Sequence, residues 1–82
     1  MSLAKYFFHM RDGPHPIDDD EGIDLPSPEY ARAQGVATAR ELLADAIKSG
    51  AELGFDAVVI ADERGDEIAT VRLGEVLPKR LR

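Results

Sequence analysis

One proline-free amphipathic run, bounded at both ends by helix-terminating chemistry, limits most strongly what this chain can fold into. Ser27 offers an N-cap oxygen, Pro28 suits the first helical position, and Glu29 complements the positive end of the helix dipole. No further proline occurs before Gly50, which stands where a left-handed residue closes a helix. The spacing predicts a single helix over Pro28 to Ser49. On a helical wheel Val36, Ala39, Leu42, Leu43, Ala46 and Ile47 form one stripe, opposite Gln34, Thr38, Glu41, Asp45 and Lys48. Gly35, Ala39 and Ala46 are small, so the helix backbone can approach a sheet closely. A helix with one apolar face needs a partner layer, and the rest of the chain must provide it.

The flanking segments read as strands. Lys5 to Arg11 alternates, with Tyr6, Phe8 and Met10 on one face and Lys5, Phe7, His9 and Arg11 on the other. Asp12-Gly13-Pro14 breaks the run, and Ile17 to Asp20 is the expected second, short strand of a hairpin. Its aspartates suit an exposed edge. Beyond the helix, Ala57–Asp62 and Glu67–Leu73 form a second hairpin through Glu63, Arg64, Gly65 and Asp66. Pairing Asp62 with Glu67 places Val58, Ile60, Ala69, Val71 and Leu73 on one face, a set that a one-residue bulge would alter. The expected fold is α+β, a two-layer ββαββ unit in which one long helix covers one face of a four-stranded, mainly antiparallel sheet. It occupies residues 4–77 as a single domain, followed by a basic tail over 78–82. The second sheet face has no helix to cover it and carries Phe7, His9, Val59 and Ile68.

Composition excludes several functions. A chain of 82 residues buries only about 60–65% of its unfolded surface, so its core is thin. It has no cysteine, hence no disulfide framework, thiolate metal site or thiol nucleophile, which fits a cytoplasmic location. A net charge of −6 repels phosphate backbones, and the one basic patch is Lys79, Arg80 and Arg82 with Arg72. No apolar run approaches the ~20 residues of a membrane span, and no signal peptide is visible. Met1 to Leu3 read equally as native residues or as a lead-in to a start near Ala4.

The stretch "YFFHMRDGPHPIDDDEG" raises the question of metal binding, because His9 and His15 with Asp18, Asp19, Asp20 and Glu21 are suitable ligand types. The segment from Asp18 to Glu29 has the length of an EF-hand loop. However, Ile23 stands at the sixth position where glycine is needed, prolines interrupt it, and no helix leads into it. Neither a metal nor another cofactor is expected. Ser2, Ser27 and Ser49 lack a nucleophile-elbow context, and "GAELG" lacks the lysine of a phosphate loop. No catalytic residue is assigned.

Four stretches, "KYFFHMRDG", "DDDEGIDL", "ARELLADAIKSG" and "ADERGDEIATVRL", resemble a family of small bacterial proteins known as a domain of unknown function, common in soil and plant-associated alphaproteobacteria. The resemblance runs from Tyr6 to Leu73, and the opening strand with its Arg11-Asp12-Gly13 turn is its most specific part. Relatives usually carry a longer second strand than the proline-rich one here. The resemblance implies a free-standing cytosolic domain and carries over no catalytic residue.

The resulting expectation is a non-catalytic, self-associating interaction module. It would form a homodimer through the face bearing Phe7, His9, Val59 and Ile68, or through an edge strand. In the competing arrangement Val76 and Leu77 fold back over that face in a monomer. Two alternatives are a small ligand- or metal-binding protein using His9 and the Asp18–Glu21 loop, and a regulatory partner of a nucleic-acid-binding protein acting through the basic tail.

Overall fold

The computed structural model describes residues 2–50 and 55–76. The elements are β1 (Ala4–Asp12), β2 (His15–Ile17), β3 (Ile23–Leu25), α1 (Pro28–Ser49), β4 (Ala57–Ala61), β5 (Glu67–Arg72) and α2 (Leu73–Val76). All strand pairings are antiparallel, in the order β2-β1-β4-β5, with β3 also on β1. This is the expected α+β architecture, one main helix on one antiparallel sheet. The basic residues Lys79, Arg80 and Arg82, and the domain boundary at residue 77, lie outside the described residues.

The sheet has one strand more than the sequence indicated, and the second strand is displaced. Gly13, with φ of 56°, lets Asp12 pair directly with His15, so Met10 meets Ile17 and the strand ends there. The aspartates predicted to prolong it form the connection to β3 instead. There Tyr6 pairs with Ile23 and Ala4 with Leu25. Strands β2 and β3 therefore share the outer edge of β1, one on each half. Pro16 is tolerated because it lies opposite Arg11, whose carbonyl accepts from Asp56 N on the β4 side; the missing proline N–H thus faces away from β1.

The core lies between sheet and helix. Tyr6 of β1, Val58 and Ile60 of β4, and Val71 of β5 meet Ala31 and Ala39 of α1, with Phe55 and Leu73 closing the end. Val58 and Ile60 are fully enclosed. Small residues set the helix–sheet distance: a Cβ added to Gly35 would lie 2.5 Å from Ile60 Cδ1. The buried line of the helix is consequently Ala31, Gly35 and Ala39, a turn-by-turn series that the wheel only partly anticipated. Leu42 and Val36 pack against the core edge, whereas Ile47 is 68% exposed.

The helix ends follow the local sequence. Ser27 is the N-cap, its Oγ accepting from Tyr30 N at 3.3 Å, and Gly50 closes the helix at φ 71°. In the second hairpin, Val58 pairs with Val71 and Ile60 with Ala69, but Ala61 pairs with Glu67. Ile68 is thus an extra residue, a bulge at the loop end of β5. The core face keeps Val58, Ile60, Ala69, Val71 and Leu73 together, as the hairpin register indicated. Val76 packs against this same core on the helix side, so it does not cover the opposite face; Leu77, the other residue of the expected fold-back, lies outside the described residues.

Candidate functional site on the open sheet face

The face away from the helix is built from alternate residues of three strands. Register rows place Arg11, Ala57 and Arg72 side by side, then His9, Val59 and Thr70, then Phe7 and Ala61. The bulge at Ile68 turns Glu67 onto this face beside Ala61, and Glu67 Oε2 stands 3.8 Å from Arg11 Nη2. Val59, expected to be an uncovered apolar residue, is only 3% exposed, because it sits on the central strand with side chains on both sides. Ile68 is 38% exposed. Phe7 and His9 are half-buried and stacked, with ring centroids 6.2 Å apart and planes 3° from parallel. The four residues singled out from sequence therefore do not form one apolar strip. Phe7 and His9 make a small aromatic pair, Val59 lies beneath its neighbours, and Ile68 stands apart at the bulge.

The segment between β2 and β3 holds this aromatic pair down. His9 Nδ1 accepts from Asp19 N at 3.0 Å. Asp19 Oδ2 accepts from Phe8 N at 3.1 Å, and its Oδ1 accepts from Glu21 N at 3.0 Å and Gly22 N at 3.2 Å. Gly22, at φ 72°, packs where a Cβ would lie 2.8 Å from Lys5 Cγ and 3.0 Å from Phe7 Cε1. Burial raises the pKa of the Asp19 carboxyl, but the N–H groups of Phe8, Glu21 and Gly22, with His9 alongside, outweigh it and hold the group below the ordinary aspartate value.

Other carboxylates serve in the same way. Asp62 Oδ1 accepts from Arg64 N at 2.9 Å and Asp66 N at 3.0 Å. Glu63 Oε1 accepts from Lys5 N at 2.8 Å, and Asp56 Oδ2 accepts from Gly13 N at 3.1 Å. The acids next to the aromatic pair thus complete the backbone hydrogen bonding of loops and strand ends.

This geometry bears on the metal reading. His9 uses Nδ1 as an acceptor for a backbone N–H, and both oxygens of Asp19 are engaged. Among the described residues, no group of three or more His, Asp or Glu side chains is arranged to hold a metal ion. Asp18 Oδ1, 3.9 Å from His9 Nδ1, is 72% exposed and adds little. As a base, His9 lacks the orienting carboxylate of a catalytic dyad, since its Nδ1 partner is an amide.

The edges of the sheet differ in a way the sequence did not signal. On one side β1 is covered by two three-residue strands, one containing Pro16 and the other Asp24. On the other side β5 runs for six residues and pairs only with β4 among the described residues. Leu73 N donates to Asp56 O, which fixes the inward hydrogen-bonding positions of β5 at Leu73, Val71 and Ala69. Thr70 and Arg72 therefore direct their backbone N–H and C=O groups outward.

Among the described residues, no helix is long and apolar enough to cross a membrane. Residues 5–74 match the family model of the domain of unknown function DUF6894. No curated protein and no solved structure matches the chain.

Proposed function

The chain belongs to the DUF6894 family, a domain of unknown function, and from that premise we propose that it is a small bacterial, cytoplasmic, non-catalytic module that acts by self-association as a homodimer. The observation that carries this reading is the contrast between the two sheet edges. One is blunted by short strands, a proline and acids, as edges kept from pairing usually are. The other, β5, offers outward backbone groups at Thr70 and Arg72. A thin core adds to the argument, because a small domain gains more from extra burial than a large one does.

The open face supports this reading less than its composition suggested. Val59 is already buried and Phe7 is held by His9 and the Gly22 turn, so little apolar area remains there for a partner. The alternative of a regulatory partner for a nucleic-acid-binding protein rests on Lys79, Arg80 and Arg82, outside the described residues. Sedimentation at micromolar concentration tests the homodimer. Twice the chain mass is expected, and 9.0 kDa at every concentration overturns the proposal.

A further inference from the structure

The geometry of the free edge points to a specific assembly. We propose that two copies join β5 to β5 in antiparallel fashion across a two-fold axis through Thr70, producing one continuous sheet. The proposal rests on the self-association reading above and names the surface and register that serve it.

The register follows from three constraints. First, residues facing each other across an antiparallel pair point to the same side of the sheet, so a symmetric pairing must centre on a residue rather than between two. Second, Thr70 directs its backbone groups outward and can exchange both hydrogen bonds with its copy on the axis, whereas Ala69 and Val71, turned to β4, could centre only a non-hydrogen-bonded pair. Third, centring on Thr70 sets Ala69 opposite Val71 of the other copy on the helix side, small against branched. It also sets Arg72 opposite the bulged Ile68. Centring on Arg72 instead would set like charges against each other on the axis and leave most of β5 unpaired.

Charge favours the same register. The bulge turns Glu67 onto the open face, the face that also carries Arg72. With Thr70 on the axis, each Arg72 lies next to Glu67 of the other copy, giving two symmetry-related ion pairs at the ends of the seam. Within one chain Arg72 has no ion-pair partner among the described residues, and Glu67 has only Arg11 at 3.8 Å. A parallel pairing about a two-fold axis would turn the open face of one copy to the opposite side of the sheet, so only the antiparallel arrangement brings Arg72 and Glu67 of the two copies together on one face. Among the described residues the end of β5 leaves the edge clear, because Leu73 turns into the core and α2 packs beside α1.

The chain has no cysteine, so Thr70→Cys introduces the only thiol. Directly opposed hydrogen-bonded residues of an antiparallel pair have Cα atoms about 5.5 Å apart, within disulfide range. Mild oxidation of the Thr70→Cys chain is expected to give a disulfide-linked dimer at least tenfold faster than oxidation of Asp45→Cys on the outer face of α1. In addition, Arg72→Glu is expected to weaken dimerisation at least tenfold, and Glu67→Arg/Arg72→Glu to restore it. A dimer in which Thr70→Cys cross-links no faster than Asp45→Cys overturns the register but leaves self-association standing. A monomer at all concentrations overturns both. Failure of the charge exchange to restore association in an otherwise cross-linking chain overturns the ion-pair assignment.

Discussion

Asp19 supplies the rung of β1's outer ladder that no strand reaches: its Oδ2 accepts the Phe8 N–H at 3.1 Å, between the Met10–Ile17 and Tyr6–Ile23 pairs. A carboxylate thus stands where a strand carbonyl would be, and the same side chain ties down Glu21 and Gly22. This one residue lets β2 and β3 share an edge without leaving a mid-strand donor unpaired.

Removing that oxygen pair should be felt. Asp19→Ala is expected to lower stability by about 1–3 kcal/mol in urea unfolding, since it strands donors that a carboxylate had satisfied. Asp18→Ala, one residue away and mostly exposed, should stay within about 0.5 kcal/mol. Equal effects of the two substitutions would refute the rung assignment.

The same group gives a pH dependence. Its folded pKa lies below the ordinary aspartate value, so its contribution is complete above about 3.9 and is lost as pH falls through the lower folded value. The stability difference between the unmutated chain and Asp19→Asn should therefore be constant near neutrality and shrink only in strong acid. A difference that already declines between pH of about 7 and 5 would contradict this, because a lowered aspartate does not titrate there.

His9 should show one tautomer. Its Nδ1 accepts the Asp19 N–H, so the neutral ring carries its proton on Nε2. Nitrogen NMR is expected to find Nδ1 unprotonated with the long-range pattern of that single form. A mixture of both tautomers would mean that the Asp19 segment is not held against the ring.

Gly35 tests the helix–sheet distance. Gly35→Ala gains about 1 kcal/mol of helix propensity, yet the new methyl meets Ile60 Cδ1 at 2.5 Å in an enclosed core. Overpacking of this kind costs about 1–3 kcal/mol, so a net loss is expected. Ile60→Val deletes the clashing atom, and the double variant should therefore be more stable than the two single losses predict. Simple additivity in thermal unfolding would show that the helix moves away freely.

Ser27→Ala should cost about 1 kcal/mol, because Ser27 Oγ satisfies Tyr30 N at the start of α1. Helix content by circular dichroism should remain nearly unchanged. A neutral stability effect would place the cap elsewhere.

The helix termini were legible because capping is local: Ser27, Pro28 and Gly50 act on backbone groups within one turn. The second hairpin was legible for a similar reason, since Gly65 and its polar neighbours specify a short loop and the branched residues specify the core face. The strand Ile23–Leu25 was not. Three residues carry no periodicity, and they become a strand only because the first half of β1 presents unpaired groups to them. Asp19 was equally hidden among three aspartates of the same composition. Only the gap between two strands, an object defined by pairing, distinguishes it from Asp18 and Asp20. The extent of burial depended on tertiary structure too. Alternation gave Val59 its direction, but its place on the central strand buried it. The helical wheel put Ile47 on the apolar stripe, but packing left it 68% exposed. The two layers, the order of elements and the ends of the long helix were legible without the fold, because apolar periodicity, turn residues and caps are read over short stretches of chain. The ladder decided which edge stays open, which carboxylate completes it and which residues of β5 face outward, because hydrogen-bonding direction alternates with register and register is set by strands distant in sequence.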